Sequence, residues 1–353
     1  MPKISDPSNN QRITAVPPLE ASLQKSHGRI AIALGDPAGI GAEVTLKALA
    51  RPGVESLDVV LVGCRRWLAS TYRDLQGRSE TPLADPERFE VVDIPLSTAI
   101  TPGQSGSAAG AAGFAWLTGA ADLVLEGTCR SLVTAPIAKA SWQLAGHDYP
   151  GQTERLAELA GVGEASMLFT ARAPASDWRL NTLLATTHIP LAEVLARLGP
   201  DLVTRKLDVL LAFCRRFRPH PHLVVAGLNP HAGEAGRLGH EEQDWLIAAL
   251  EIWAAHHPSV RLEGPLPPDT CWLAAAAAWR GEGSGPDGYL ALYHDQGLIP
   301  MKLLAFDAAV NVSLGLPFLR TSPDHGTAFA IAGRGVARPD SMVAALMTAW
   351  DLG

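Results

Sequence analysis

The sequence predicts an α/β fold in which helices cover a parallel sheet, and three observations carry that reading. Short apolar runs of strand length recur along the chain, amphipathic helical patterns fall between them, and chemically interesting polar residues cluster just after the runs. Alternation of this kind is the mark of a parallel sheet, and enzymes built on one place their chemistry at the carboxyl ends of the strands. A chain of 353 residues is long enough for a large core and for about two domains flanking a cleft.

The elements follow in order. Arg29–Leu34 reads as a buried strand, the turn from Gly35 to Gly41 follows it, and a helix with Ile40, Val44 and Ala48 on one face runs to about Ala50. Asp58–Val62 and a helix near Trp67 repeat the unit. The small-residue run 106–125 predicts a closely packed helix, and Ser131–Thr134 a strand that delivers Ala135–Lys139 to its end. Further strands are expected at Met167–Thr170, Asn181–Thr186, Leu223–Ala226, Gly288–Leu292 and Ala308–Val312. Further helices are expected at Thr153–Ala160, Leu191–Leu198, Val203–Phe217, Glu241–Ala255 and Ser341–Trp350. The Gly-rich stretch 281–288 reads as a flexible turn, and no tandem repeat is present.

Composition excludes several classes. The chain is 47% hydrophobic and 18% charged, with a formal net charge of −7 and no basic block, so nucleic acid is not an expected partner. Cys64, Cys129, Cys214 and Cys271 form no C-x-x-C pair, which argues against a zinc knuckle or disulfide framework and suits a reducing cytoplasm. Residues 1–27 are polar, lack an apolar segment and read as a disordered tail. The alanine run 274–278 is too short to cross a membrane.

His188, His231 and His294 share a setting, each just past a predicted strand. Three imidazoles with an open position suit a catalytic metal; solvated or structural histidines are the alternative, and pattern alone leaves the two even. Asp295 and Asp269 are carboxylates that could orient a ligand or act as a base, although Asp269 fits better as the N-cap of the next helix. Lys302, Asn311 and Arg320 are polar residues nine apart in an apolar segment, suited to a phosphate or carboxylate if they converge. Gln152, Thr153 and Glu154 open a helix whose amides could add to an anion site, or merely cap it. The loop Gly35-x-x-x-Gly39-x-Gly41 matches no dinucleotide or Walker fingerprint. His325-Gly326-Thr327-Ala328 reads as a loop entering a helix, able to offer amides and a ring to a nucleotide.

Taken together, Gly35-Asp-Pro-Ala-Gly-Ile-Gly41, Thr134-Ala-Pro-Ile137 with Lys139, Tyr149-Pro-Gly-Gln-Thr-Glu154, Gly227-Leu-Asn-Pro-His-Ala-Gly-Glu234, Gly264-Pro-Leu-Pro-Pro-Asp-Thr270, Tyr293-His-Asp-Gln-Gly297 and Asn311 through Arg320-Thr-Ser322 resemble the 4-hydroxythreonine-4-phosphate dehydrogenase (PdxA) family of pyridoxal phosphate biosynthesis. The resemblance implies an isocitrate/isopropylmalate dehydrogenase-like fold with two α/β domains: residues 28–133 plus 306–353 on the cofactor side, and 134–305 carrying the metal ligands and dimer interface. It implies a homodimeric, metal-dependent NAD enzyme. His188, His231 and His294 would be metal ligands supplied to one site by both subunits. Gln152, Thr153, Lys302, Asn311 and Arg320 would contact a phosphorylated substrate, and His325–Ala328 would cradle the adenosine of NAD. One departure stands out: the family usually has histidine where this chain has Gln152, and glutamine can donate a hydrogen bond but carries no charge.

The hypothesis this gives is metal-assisted oxidation of the 3-hydroxyl of 4-phosphooxy-L-threonine, with hydride passing to NAD and the β-keto acid then losing carbon dioxide to give 3-amino-2-oxopropyl phosphate. Asp295, Asp269 and Lys139 are the candidate proton acceptors. All-histidine ligation favours Zn²⁺ or Co²⁺ over Mg²⁺. Other readings are a relative acting on threonate or erythronate 4-phosphate or a cis-dihydrodiol, a metal-dependent phosphate-ester hydrolase, and a two-lobed solute-binding protein.

Overall fold

The computed structural model describes residues 28–353; the expected tail at 1–27 lies outside them. Eleven strands form one sheet: β1 Ile30–Ala33, β2 Val59–Gly63, β3 Glu90–Asp93, β4 Ser131–Thr134, β5 Ser166–Arg172, β6 Arg179–Leu184, β7 His222–Ala226, β8 Arg261–Leu266, β9 Gly288–Ala291, β10 Val310–Leu314 and β11 Leu319–Pro323. Their order across the sheet is β3-β2-β1-β4-β11-β10-β5-β6-β9-β7-β8. Helices cover both faces: α1 Gly41–Ala48, α2 Arg65–Gln76, α3 Ser107–Leu125, α4 Lys139–Leu144, α5 Gln152–Leu159, α6 Leu191–Arg197, α7 Pro200–Cys214, α8 Ile247–His256, α9 Leu273–Trp279, α10 His294–Ala305 and α11 Asp340–Leu352.

The α/β class holds, but the sheet is mixed and not purely parallel. β10 runs antiparallel to both β11 and β5, and β5 antiparallel to β6. For β10–β11 and β5–β6 the cause is local: residues 315–318 and 173–178 are short connections, and a short connection can only return the chain antiparallel to itself. Gly315, at φ 93°, takes the left-handed step that the first of these turns requires.

β1 and β2 are buried on both faces and apolar throughout, whereas the equally buried β4 and β11 carry the polar residues of the site. α3 is long and apolar enough to span a bilayer by length and composition, yet it packs against β1 and β2 with Trp116, Leu117 and Ala120 inside the core. Its Gly110 lies so close to α4 that a side chain would strike the Ser141 carbonyl. One core cluster extends from Ile30 to Leu352, and a smaller one gathers Phe169, Tyr289 and Met301.

Three neighbouring parallel strands place the site. β6, β9 and β7 lie side by side, with Leu183 opposite Leu290 and Val225 opposite Leu290, so their carboxyl ends open on one edge. The segments that leave that edge carry His188, His294 and His231. His294 is the first residue of α10, which starts just after β9.

Candidate active site

A cleft of about 350 Å³ opens where β4, β11, β10 and β5 meet in the middle of the sheet. Its walls include Lys139, Gln152, Thr153, His188, Asn311, Arg320, His325 and Gly326, so the structure brings together residues that are spread over nearly two hundred positions of sequence.

Arg320 is its electrostatic centre. It is 4% exposed, and its guanidinium donates to Thr134 Oγ1 from Nε at 3.0 Å and from Nη2 at 2.6 Å, and to Ser313 Oγ from Nη1 at 3.1 Å. Among the described residues no carboxylate pairs with it. Burial pushes its pKa down to about 10, with Glu154 acting weakly the other way. A buried cation held only by hydroxyls is costly unless an anion completes it. The surroundings suit one: Asn311 has a buried Oδ1 without a partner, and Thr153 and Ser313 hydroxyls lie 3.4 Å apart. α5 starts at Gln152 with no side-chain cap, so its first amides and the positive end of its dipole remain for a ligand. Gln152 itself donates through Nε2 to the Ala135 carbonyl at 3.2 Å.

Lys302 differs from the expectation of direct convergence. It sits on α10 and pairs at 2.9 Å with Asp324, and it is Asp324 that lines the cleft. Thr134, Ser313 and Asp324 are therefore contributors that sequence reasoning missed; a hydroxyl at a strand end gives no pattern beyond its position.

A second hollow of about 260 Å³ adjoins the first and shares His188 with it. Here the rings of His188 and His294 lie 5.5 Å apart between centroids. His294 Nδ1 bonds Asp295 Oδ1 at 2.7 Å, which leaves Nε2 as the nitrogen for a ligand and gives Asp295 an orienting role. Burial, then the charges of His294 and Lys139, lower the His188 pKa, which favours the neutral, ligating imidazole.

His231 is held differently. His231, Ala232, Gly233, Glu234 and Ala235 all have positive φ, a full left-handed turn in which each non-glycine residue costs of order 1 kcal/mol. Glu242, 1% exposed, holds the turn's base: Oε1 accepts from the Leu228 and Asn229 amides at 2.8 and 2.7 Å, and Oε2 from Asn229 Nδ2 at 2.9 Å. A Cβ on Gly233 would come within 2.9 Å of the same Oε2. Among the described residues of this chain no group of three or more His, Cys, Asp or Glu converges on a metal position. The chemistry of the donors still fits one, since the His188 and His294 rings lie together and His231 sits in the turn that follows the neighbouring strand β7.

Asp269 is exposed and lines neither hollow. Its expected role as a helix cap is not what the structure shows: the amides of Thr270 and Cys271 turn back to the Pro267 carbonyl, and α9 begins later, with Trp272 at its cap position.

The loop His325–Ala328 packs on the turn after β1. Ile40 donates to the Thr327 carbonyl at 3.0 Å, and Gly39 is close enough that a Cβ would lie 3.0 Å from Thr327. His325 Nδ1 lies 3.1 Å from the Gly326 carbonyl, and its Nε2 is buried without a partner. No helix follows directly; a single turn at Phe329–Ile331 does, because Ala328 is left-handed and Gly333 and Gly335 have positive φ.

Residues 55–349 match the family described as pyridoxal phosphate biosynthetic protein PdxA. The chain is 63% identical over 329 residues to the 4-hydroxythreonine-4-phosphate dehydrogenase of Synechococcus sp. (strain RCC307), spanning 92% of this chain and 99% of that one. It is 37% identical to a putative D-threonate 4-phosphate dehydrogenase of Salmonella typhi, spanning 92% and 98%. Among solved structures, 4-hydroxythreonine-4-phosphate dehydrogenase from Klebsiella pneumoniae superposes with a TM-score of 0.79 at 36% identity, over 93% of this chain and 99% of that one.

Proposed function

The chain belongs to the PdxA family of pyridoxal phosphate biosynthetic proteins, and on that premise we propose that it oxidises 4-phosphooxy-L-threonine at its 3-hydroxyl with NAD, in a cytoplasmic homodimer. The observation that carries the substrate class is Arg320, a buried guanidinium whose partners are hydroxyls and whose remaining charge an anion would complete. When bound, NAD supplies the hydride acceptor and a divalent metal the Lewis acid.

The residues divide the remaining work. Arg320, Thr153 and the first amides of α5 bind the phosphate and fix the substrate's length. His188 and His294 hold the metal, with His231 completing the donor set and Zn²⁺ or Co²⁺ preferred over Mg²⁺. Of the candidate proton acceptors, Lys139 lines the anion cleft, whereas Asp295 bonds and orients His294. His325–Ala328 forms the cofactor's side of the cleft. The dimer is supported by an apolar surface beside the histidines: Ile299, Leu303 and Phe306 at the end of α10 and Leu191 and Leu195 on α6 are all more than half exposed. Closing that face against a second copy would bury it and let the two subunits share the histidines.

Formation of NADH on mixing protein, NAD, Co²⁺ or Zn²⁺ and 4-phosphooxy-L-threonine tests the reading. Chelation should abolish it and readdition of metal restore it. Absence of NADH with any phosphorylated four-carbon hydroxyacid at full metal occupancy would overturn it, and phosphate release without NAD would point to a hydrolase. Neutral Gln152 and the threonate-phosphate relative favour threonate 4-phosphate as the second substrate to assay.

A further inference from the structure

Three ligand-bearing segments leave three different strands, and a fixed metal geometry requires that their roots be locked together. The structure contains such a lock, outside the residues assigned above. Thr186, two residues before His188, donates from Oγ1 to the Leu292 carbonyl at 2.8 Å, and its amide reaches the same carbonyl at 3.3 Å. Leu292, two residues before His294, donates its amide to Gln296 Oε1 at 2.7 Å. Gln296 Nε2 donates in turn to the Gly227 carbonyl at 2.7 Å, four residues before His231. The amide orientation of Gln296 is dictated by its partners, because one is a donor and the other an acceptor.

The surroundings make this brace rigid. Thr186 is 6% exposed, Gln296 7% and Leu292 fully buried, so none of the bonds competes with water. Gly297, next along α10, touches β6 and β9 so closely that a Cβ would lie 2.7 Å from Leu184 and 3.0 Å from Ala291. At the far end, the Gly227 amide is bonded to the Leu266 carbonyl at 2.7 Å, which anchors the brace in β8.

We infer that Gln296 is a positioning residue for the metal centre: its carboxamide, with the Thr186 hydroxyl, fixes the spacing of the His188, His294 and His231 segments without contacting substrate, cofactor or metal. This rests on the metal reading above. Hydrogen-bonded partners that orient metal ligands commonly govern affinity by about 10- to 100-fold.

The test uses the full chain and Co²⁺ as probe. Q296M, similar in length but unable to make either bond, should bind Co²⁺ about 10- to 100-fold more weakly and with an altered visible spectrum. Its stabilisation by inorganic phosphate, which reads the Arg320 pocket, should be unchanged; a general loss of packing would move both. T186V should weaken Co²⁺ binding in the same direction, and T186S, which keeps the hydroxyl, should restore it. Wild-type Co²⁺ affinity and spectrum in folded Q296M would overturn the inference. If Q296M does not fold, equal Co²⁺ affinity in T186V and T186S would overturn it as well. So would rapid hydrogen exchange of the Leu292 amide in the unaltered chain, which should be strongly protected. Failure of the unaltered chain to bind Co²⁺ would instead overturn the metal reading, while the exchange measurement still reports whether the brace is formed.

Discussion

Arg320 decides the substrate class because its charge has been taken out of water without a carboxylate to meet it. Burial holds its folded-state pKa at about 10, below the ordinary arginine range, so the unfolded chain holds the proton more tightly. Stability therefore rises as pH climbs above about 10 towards the ordinary arginine range, and at neutral pH, where the group is charged in both states, its burial is a cost. An anionic ligand offsets that cost. R320M should consequently fold at least as stably as the unaltered chain in thermal melts, since replacing an uncompensated buried ion by an apolar side chain is often neutral or stabilising. The same change should raise KM for the phosphorylated substrate by about 10- to 100-fold, the worth of a hydrogen bond to a charged group. A large drop in melting temperature with unchanged KM would show that Arg320 is a structural cation.

At the scale of elements, the left-handed turn at His231 is stable only because Glu242 and Asn229 hold it. E242A would leave the half-buried Leu228 and Asn229 amides without their acceptor, and it should destabilise the chain by about 1–3 kcal/mol in urea unfolding. G233A should do similar harm, because the new methyl meets the Glu242 carboxylate. The apolar end of α10 makes a separate prediction: L303E, at a position 81% exposed, should leave the fold intact, convert a dimer to a monomer by light scattering, and abolish turnover if the histidines are shared. These elements also show what could be read in advance. β1, β2 and β9 were legible because burial of both faces makes an unbroken apolar run, and β4 because Leu132 and Val133 form its centre. β3 and β8 were not, because they are the two edge strands and carry polar residues such as Glu90, Arg261 and Glu263. α10 was hidden by Gly297 and Pro300, both poor helix formers that tertiary packing overrides. The left-handed backbone of Ala232, Glu234 and Ala235 has no sequence signal, since none of these residue types favours positive φ. In the site, Arg320 and Asn311 stood out as polar residues in an apolar segment, whereas the hydroxyls that hold Arg320 did not.

At the scale of the whole molecule, the question is whether the two proposed domains behave as one body. A boundary at residues 133/134 and 305/306 would divide the sheet between β10 and β5, yet that border is a five-residue antiparallel ladder from Val310–Thr170 to Leu314–Ser166. The larger core cluster also crosses it, joining Ile32 and Leu346 to Leu210, Leu223 and Leu290. The cleft itself spans the border, with Gln152, Thr153 and Met167 on one side and Asn311 and Arg320 on the other. Such continuity predicts one cooperative unfolding transition, seen at the same midpoint by far- and near-ultraviolet circular dichroism. Inorganic phosphate should shift that transition as a unit, by about 2.7 kcal/mol at a hundredfold excess over its Kd, and R320M should abolish the shift. Two resolved transitions, with phosphate moving only one, would show instead that the sheet parts at β10–β5 and that the anion site belongs to a single side.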